Sequence, residues 1–266
     1  MRIYALAVYL FLYLPIGIIA LFSFSAGRSA SQMQGFSTQW YAKALGNPFV
    51  IDALKTSASV ALTSAVLSCI FGTMAAMALT GLKGRLRTIF DGMIYVAVMI
   101  PGIVIGIATL IALVTVFDAV NPWLTAATGW RLSLGFGSLV GAHVLFTMSL
   151  VIILVRARIE GMDRALIEAS SDLGAGPVAT FRQVTLPLLA PAIFAGFLLS
   201  FTFSFDDFII AFFVAGSETT LPIYIFSSIR RGVTPEINAI GTMVMAASLI
   251  LLIVAQFTLR RGKPGA

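Results

Sequence analysis

Charge is what this chain has least of. Asp, Glu, Lys and Arg make up 11% of its 266 residues, against roughly 25% in soluble domains. Hydrophobic residues reach 59% and the mean hydropathy is +1.00. A soluble globular domain is excluded, and the chain reads as an integral membrane protein. Cysteine is nearly absent. Cys69 stands alone in an apolar run, so no disulfide can form within the chain. His143 is the sole histidine, with no Cys, His or Glu at ligand spacing, so a metal site is unsupported and a hydrogen-bonded packing role is expected. No G-x-x-x-x-G-K-[ST] phosphate loop occurs, and Gly262-Lys263 lacks the rest of that motif. Nothing near His143 supplies a nucleophile with a base in reach, which argues against an intramembrane enzyme. No filter-like sequence points to a channel, and no internal repeat points to the inverted-repeat transporters. The net charge of +6 would raise nucleic-acid binding in a soluble chain. No basic patch interleaved with aromatics supports it, and cations flanking membrane boundaries explain the excess.

Against these absences stand long apolar runs. A span needs about 20 mostly apolar residues, and six stretches qualify, at about 4–24, 56–80, 89–117, 136–155, 188–215 and 238–259. The first follows Arg2. It exceeds the ~7–15 apolar residues of a signal peptide and reads as a retained span. The third carries Pro101-Gly102, which predicts a kink or tilt. Gly102-x-x-x-Gly106 in the same span allows close helix approach, with packing as its default role. A single transmembrane domain over 1–266 is expected. With six spans both termini share a side. Placing them inside assigns eleven cations to inner segments (Arg2, Lys83, Arg85, Arg87, Arg156, Arg158, Arg164, Arg182, Arg260, Arg261, Lys263) and six to outer ones (Arg28, Lys43, Lys55, Arg131, Arg230, Arg231). The positive-inside bias therefore favours cytoplasmic termini. The segment about 25–55 is then an outer one, with room for a small helix near Trp40 and Tyr41.

A polar, glycine-punctuated stretch, about 157–187, interrupts the apolar chain. Asp163 can cap a short helix over 164–173. Within it Leu166, Ala169, Ser170 and Leu173 recur at helical spacing as a small apolar face. Gly174 and Gly176 are expected to end it, and Pro177 suits the first turn of a second helix over 177–183. Leu186-Pro187-Leu188 would redirect the chain into the fifth span. The orientation above puts this helix–turn–helix in the cytoplasm.

Asp206 and Asp207 interrupt the fifth span within SFTFSFDDFIIAFF. One acidic residue at the centre of a membrane helix costs about 2.5–3.5 kcal/mol, so two call for protein burial or a wet cavity. At about 100° per residue, Gly196, Ser200, Ser204, Asp207 and Ala211 share one stripe, suited to a pore lining or a close helix contact. Asp206 falls ~100° away, so the two carboxylates should meet different surroundings, in the outer half of the span. A cation-attracting site on a translocation path is the functional reading, and bracing of the helix bundle or of a subunit interface is the alternative. Geometry prefers Asp207 for the path.

The stretch Glu168–Pro187, EASSDLGAGPVATFRQVTLP, resembles the cytoplasmic loop of permease subunits in bacterial ATP-driven importers. Their pattern is E-A-A-x-x-x-G, then nine residues, then I-x-L-P. Glu168, Ala169, Gly174, Leu186 and Pro187 match, Ser170 replaces an alanine and Val184 an isoleucine. The whole chain is similar to the second permease subunit of spermidine/putrescine importers, through GFSTQWY at 35–41, LPLLAPAI at 186–193, LSFTFSFDDF at 199–208 and LPIYIFSSIRRGVTPEINAIGT at 221–242. The resemblance implies an all-α membrane protein of six transmembrane helices with the type I ABC importer permease (MetI-like) fold and a cytoplasmic coupling helix. It implies no catalytic residue and no cofactor in this chain, with ATP and magnesium on a partner ATPase homodimer. A second homologous permease and a periplasmic substrate-binding protein complete the implied assembly, in the bacterial inner membrane. Glu168, Ala169, Ser170, Leu173, Gly174 and Pro187 would form the coupling element, Glu168 either contacting the ATPase or holding the turn from within. Asp207, Asp206, Ser204, Ser200 and Trp40 match positions of the implied substrate path or extend it; an interfacial aromatic anchor is an equal reading of Trp40. Gly102 departs from the family, since some members carry an acidic residue after that proline. The implied cargo is a small cationic amine, most simply a polyamine. Alternatives are an opine or amino-acid-like compound moved by the same machinery, and a secondary transporter using Asp206 or Asp207 as proton carrier.

Overall fold

The structure, a computed structural model, describes residues 2–29, 32–163 and 165–261. Arg164 and Lys263, counted above among the inner cations, lie outside them. The described residues form helices and no strand; a single bridge pairs Ser25 with Phe36. Five of the helices are long and apolar enough to cross a membrane: α1 (Arg2–Phe22, apolar over Tyr4–Phe22), α3 (Pro48–Thr80), α5 (Gly102–Thr128), α6 (Phe136–Glu160) and a helical run over Pro177–Asp206. A further helix, α12 (Pro235–Arg261), is apolar over Pro235–Ile250. Shorter helices α2 (Gln39–Gly46), α4 (Gly84–Met99), α7 (Ala165–Asp172), α8 (Pro177–Thr180), α10 (Ile209–Val214) and α11 (Leu221–Arg231) lie between them, and α9 (Leu186–Asp206) completes the long run begun by α8.

The stretch 89–117 is not one kinked helix. Helix α4 stops at Met99, Ile100 and Pro101 are extended (ψ 134° and 135°), and α5 starts at Gly102. The proline ring disfavours helical backbone at the residue before it, and with no N–H of its own Pro101 continues no helix. Helix α5 then runs on to Thr128, where Gly129 (φ 74°) returns its N–H to the Thr125 carbonyl at 2.9 Å. The expected fifth span is also divided: α9 ends at Asp206, Asp207 is extended (ψ 123°), and α10 follows.

The chain forms two compact units, Met1–Lys55 with Leu221–Ala266, and Thr56–Thr220. In the first, the turn after α1 packs on α2. Phe24 stacks on Phe36 at 5.0 Å, Ser23 Oγ meets Tyr41 Oη at 2.6 Å, and the Trp40 indole N–H donates to the Ser25 carbonyl at 2.8 Å. Helix α2 is tied to α12 by Lys43–Glu236 at 3.3 Å, and Asn47 donates to Glu236 and to Tyr224 of α11.

The second unit is built on α3, α6 and α9. Its core joins Cys69, Ala76 and Leu79 of α3, Ile94 of α4, Val151, Ile152 and Val155 of α6, and Leu189 of α9. Small residues let the backbones approach, as membrane helices without a hydrophobic drive between them require. A Cβ on Gly72 would sit 2.9 Å from Val151, and one on Gly196 would sit 3.4 Å from it. Buried hydroxyls pair across the same contact, Ser68 with Thr147 at 2.7 Å. Helix α10 seats on α5, where a Cβ on Gly106 would sit 2.7 Å from Phe213 and 3.3 Å from Ile210 Cα. That contact is the use made of the Gly102-x-x-x-Gly106 pair: Gly106 is closely packed, while Gly102 has the Ile209 side chain at an ordinary 3.8 Å.

Candidate functional site

The expected coupling element and four of the five expected path residues belong to the second unit, at the two ends of α9. Trp40 belongs to the first unit. It is buried, at 8% exposure, its N–H is held by Ser25, and the Lys43 ammonium lies 4.9 Å from its ring centroid.

At the N-terminal end of α9 the polar stretch folds as a tight helix–turn–helix. Asp163 Oδ1 accepts the Ala165 N–H at 2.9 Å and caps α7, which ends at Asp172. Gly174 takes φ 80°, a conformation glycine reaches without Cβ strain. Around it the Leu173, Gly174 and Ala175 N–H groups return to the carbonyls of Ala169, Ser171 and Ser170, closing the helix end. Gly176 does not end α7; its extended backbone leads into α8 with Pro177 at the first position. Ser170 Oγ meets Thr180 Oγ1 at 3.0 Å and pins the two legs together. At the tip Leu173 and Val178 are 88% and 79% exposed.

Pro187 does not redirect the chain. The residues Phe181–Thr185 form one π-helical turn, with the Leu186 N–H on the Phe181 carbonyl, and the axis continues into α9. A proline ring would clash with the carbonyl four residues back, and the wider turn accommodates it. The coupling legs are thus continuous with a helix of the core.

Glu168 lines a cavity of about 440 Å³ together with Met77, Arg87, Glu160, Met162 and Thr185. Beside it lies an ion-pair network that the sequence reading missed. Arg156 makes a two-pronged bond to Asp91, and its Nε reaches Glu160 at 3.2 Å; Arg87 reaches the same Glu160 oxygen at 3.3 Å. Asp91 in α4 and Arg156 in α6 are 65 residues apart. The one available signal was an acidic residue at the start of a span, four residues after Arg87.

At the other end of α9, Gly196, Ser200 and Ser204 are all buried, so their stripe is a contact with α6 rather than a lining. Ser204 Oγ meets His143 Nδ1 at 2.6 Å. His143 is 2% exposed and hydrogen-bonded, the packing arrangement expected of it. The helix stops before Asp207, which therefore leaves the stripe: its Oδ2 accepts the Ala211 N–H at 2.9 Å, capping α10, and lies 3.5 Å from His143 Nε2. Asp206, the last residue of α9, is exposed and has no hydrogen-bonding or ionic partner among the described residues. The two carboxylates do meet different surroundings.

A family profile described as "Binding-protein-dependent transport system inner membrane component" matches residues 68–261. The chain is 35% identical over 255 residues to the "Spermidine/putrescine transport system permease protein PotC" of Escherichia coli (strain K12), covering 96% of this chain and 91% of that protein. It is 36% identical over 256 residues to the "Putrescine transport system permease protein PotI" of the same organism, covering 95% and 88%. Among solved structures it resembles a bacterial ABC transporter involved in the import of the acidic polysaccharide alginate, with TM-score 0.75 at 15% identity over 99% of this chain and 96% of that one. An inward-facing MetNI methionine ABC transporter matches with TM-score 0.61 at 14% identity over 80% and 96%.

Proposed function

Because the chain belongs to the inner membrane components of binding-protein-dependent transport systems, we propose that it is the permease subunit through which a small cationic amine, a polyamine of the spermidine and putrescine class, enters the cytoplasm. The subunit is a multi-pass, non-catalytic membrane component of an ABC importer. Its energy comes from a cytoplasmic ATPase pair, its cargo from a periplasmic binding protein, and its pore from pairing with a second, similar permease. Both termini and the α7–α8 turn face the cytoplasm.

The observation that carries the cargo reading is the exposed carboxylate of Asp206 at the end of α9, a charge that a membrane protein holds at a cost and keeps for function. A polycation is the complementary ligand, and the names of the relatives agree with it. The coupling reading is supported by the tip of the α7–α8 turn. Leu173 and Val178 present apolar side chains outward on a turn that Ser170, Thr180 and Gly174 hold rigid. Seated in a groove of the ATPase, that tip transmits nucleotide-driven closure along α9. Glu168 lines the cavity behind the turn, which fits holding the turn from within. ATP binding would draw the turns of the paired permeases together and open the path outward; separation of the ATPases would release the cargo inward.

The test is uptake by the complete transporter in proteoliposomes, with labelled putrescine and spermidine competed by opines and amino acids. Uptake should require ATP and the binding protein, survive an uncoupler, and yield to polyamines alone. Uptake that persists without ATP and collapses with the uncoupler would replace the ATPase by an ion gradient. Stronger competition by an opine would reassign the cargo and leave the machinery unchanged.

A further inference from the structure

The break between α9 and α10 is held from α6 at both ends of α10. Ser138, in the first turn of α6, donates its hydroxyl to the Val214 carbonyl at the end of α10 at 2.7 Å. Five residues further along α6, His143 faces the beginning of α10. Its Nδ1 meets Ser204 in the last turn of α9 at 2.6 Å, and its Nε2 lies 3.5 Å from Asp207, the residue that caps α10. At 3.5 Å the second contact is electrostatic rather than a formed hydrogen bond. Nε2 is nonetheless fully buried and has no hydrogen-bond partner among the described residues, and a buried polar nitrogen left unmatched is costly. Proton placement completes the arrangement: with the imidazole proton on Nε2, that nitrogen turns toward the Asp207 carboxylate while Nδ1 accepts the Ser204 hydroxyl. One side chain thus touches the last turn of one helix and the cap of the next.

We propose that His143 is a positioning residue that fixes the α9–α10 break through Ser204 and Asp207, so that Asp207, held by His143, caps the α10 backbone while the neighbouring Asp206 alone is presented to the cargo. The division of labour follows from surroundings. Asp207 already accepts a backbone N–H and faces an imidazole. Asp206 is exposed at the helix end, and its direction is set by where α9 stops. Without His143, Ser204 and Asp207 lose a common anchor and the stop is no longer defined. The role assigned to Asp206 rests on the polyamine reading above; the role assigned to His143 in holding the break does not.

The experiment separates the two. In a Cys69→Ser background, which removes this chain's sole thiol, with the subunit labelled on Ile209→Cys before assembly, a nitroxide reports the mobility of the first residue of α10 in the complete transporter in nanodiscs. A restrained line shape is expected in the parent and in Asp206→Asn. His143→Ala and Asp207→Ala should each raise mobility, their double variant should raise it by less than the sum of the two, and His143→Gln should recover restraint, since its amide can replace one of the two contacts. Uptake of putrescine and spermidine is then measured for the same variants without the label. His143→Ala should lower Vmax about tenfold with little change in KM, the rate equivalent of losing one strong hydrogen bond. Asp206→Asn should raise KM. An unchanged line shape in His143→Ala overturns the positioning role whatever uptake does, as do mobilities that add in the double variant. Should the line shapes behave as expected while Asp206→Asn takes up both polyamines normally, the polyamine reading of Asp206 falls and the positioning of the break stands.

Discussion

Two glycines with left-handed backbones separate conformational cost from steric cost. Gly174, at φ 80°, has nothing within 4 Å of the place a Cβ would occupy; Gly216, at φ 58°, has the Leu134 carbonyl oxygen against it. Alanine at Gly174 should therefore lose about 1 kcal/mol, the backbone cost alone. Alanine at Gly216 should lose about 1–3 kcal/mol more, because a methyl group is driven into a fixed backbone. Thermal unfolding of the two variants in detergent checks the order, and equal destabilisation would refute it. Gly174 was legible in the sequence because an α-helix needs an end and glycine supplies it. Asp206 and Asp207 were legible only in part. A rotation of about 100° between neighbours already implies different surroundings, but the stripe that joined Asp207 to Ser204 assumed an unbroken helix. A carboxylate that accepts the N–H four residues on starts a helix, and that bond depends on α10 being seated on Gly106, which no local pattern announces. Trp40 was open between two roles. The carbonyl it meets lies fifteen residues earlier, across a turn whose shape the sequence does not state.

At the scale of elements, prolines were easy to find and their consequences were not. Pro101 was expected to bend one span and instead separates α4 from α5, because Ile100 is driven into the extended region. Pro187 was expected to turn the chain and instead sits on a continuous axis, the strain being taken by the π turn over Phe181–Thr185. The helix–turn–helix over α7 and α8 was readable because its cap, glycine and proline act within a few residues. The clamp between α4 and α6 was not, since its partners come from distant parts of the chain. That clamp carries a prediction. Asp91→Asn leaves Arg156 with Glu160 as its remaining anion, and Glu160 is shared with Arg87. Arg156 and Asp91 are partly exposed, so screening holds the loss to about 1–2 kcal/mol, above that of an ordinary surface pair because the bond is two-pronged. The variant should unfold at lower temperature, by a margin that shrinks as salt rises from low to high concentration. A salt-independent loss would assign the effect to packing around Ile94 and Ile152 instead.

For the molecule as a whole, α9 is the element that matters most, because it joins the proposed engine contact to the proposed cargo contact. Its 21 residues give a rod of about 30 Å, the thickness of a bilayer core, with the α7–α8 turn at one end and Asp206 at the other. Small residues press its middle onto α6, and on the proposed reading displacement at one end is carried along it to the other. Contacts at the two ends should therefore be separable by substitution. Leu173→Asp with Val178→Asp puts charge on the apolar tip; it should lower cargo-stimulated ATP hydrolysis at least about tenfold, the scale of burying an unpaired charge at an interface, and leave the relative preference for spermidine over putrescine unchanged. Gly102→Asp should do the reverse. The nearest atoms to a new Cβ there belong to the Ile209 side chain at 3.8 Å, ordinary contact, so the substitution fits. It adds a third carboxylate near the start of α10, which Asp206 and Asp207 already precede. A further charge on the longer polycation gains about 1 kcal/mol at about 4 Å in a water-filled path, which is a shift of about fivefold toward spermidine at an unchanged ratio of ATP hydrolysed to cargo moved. The measurement is competitive uptake of the two polyamines alongside ATP hydrolysis in the same vesicles. If each variant moved both quantities together, α9 would not be joining two independent contacts, and the acidic end would have to be counted as part of the coupling machinery.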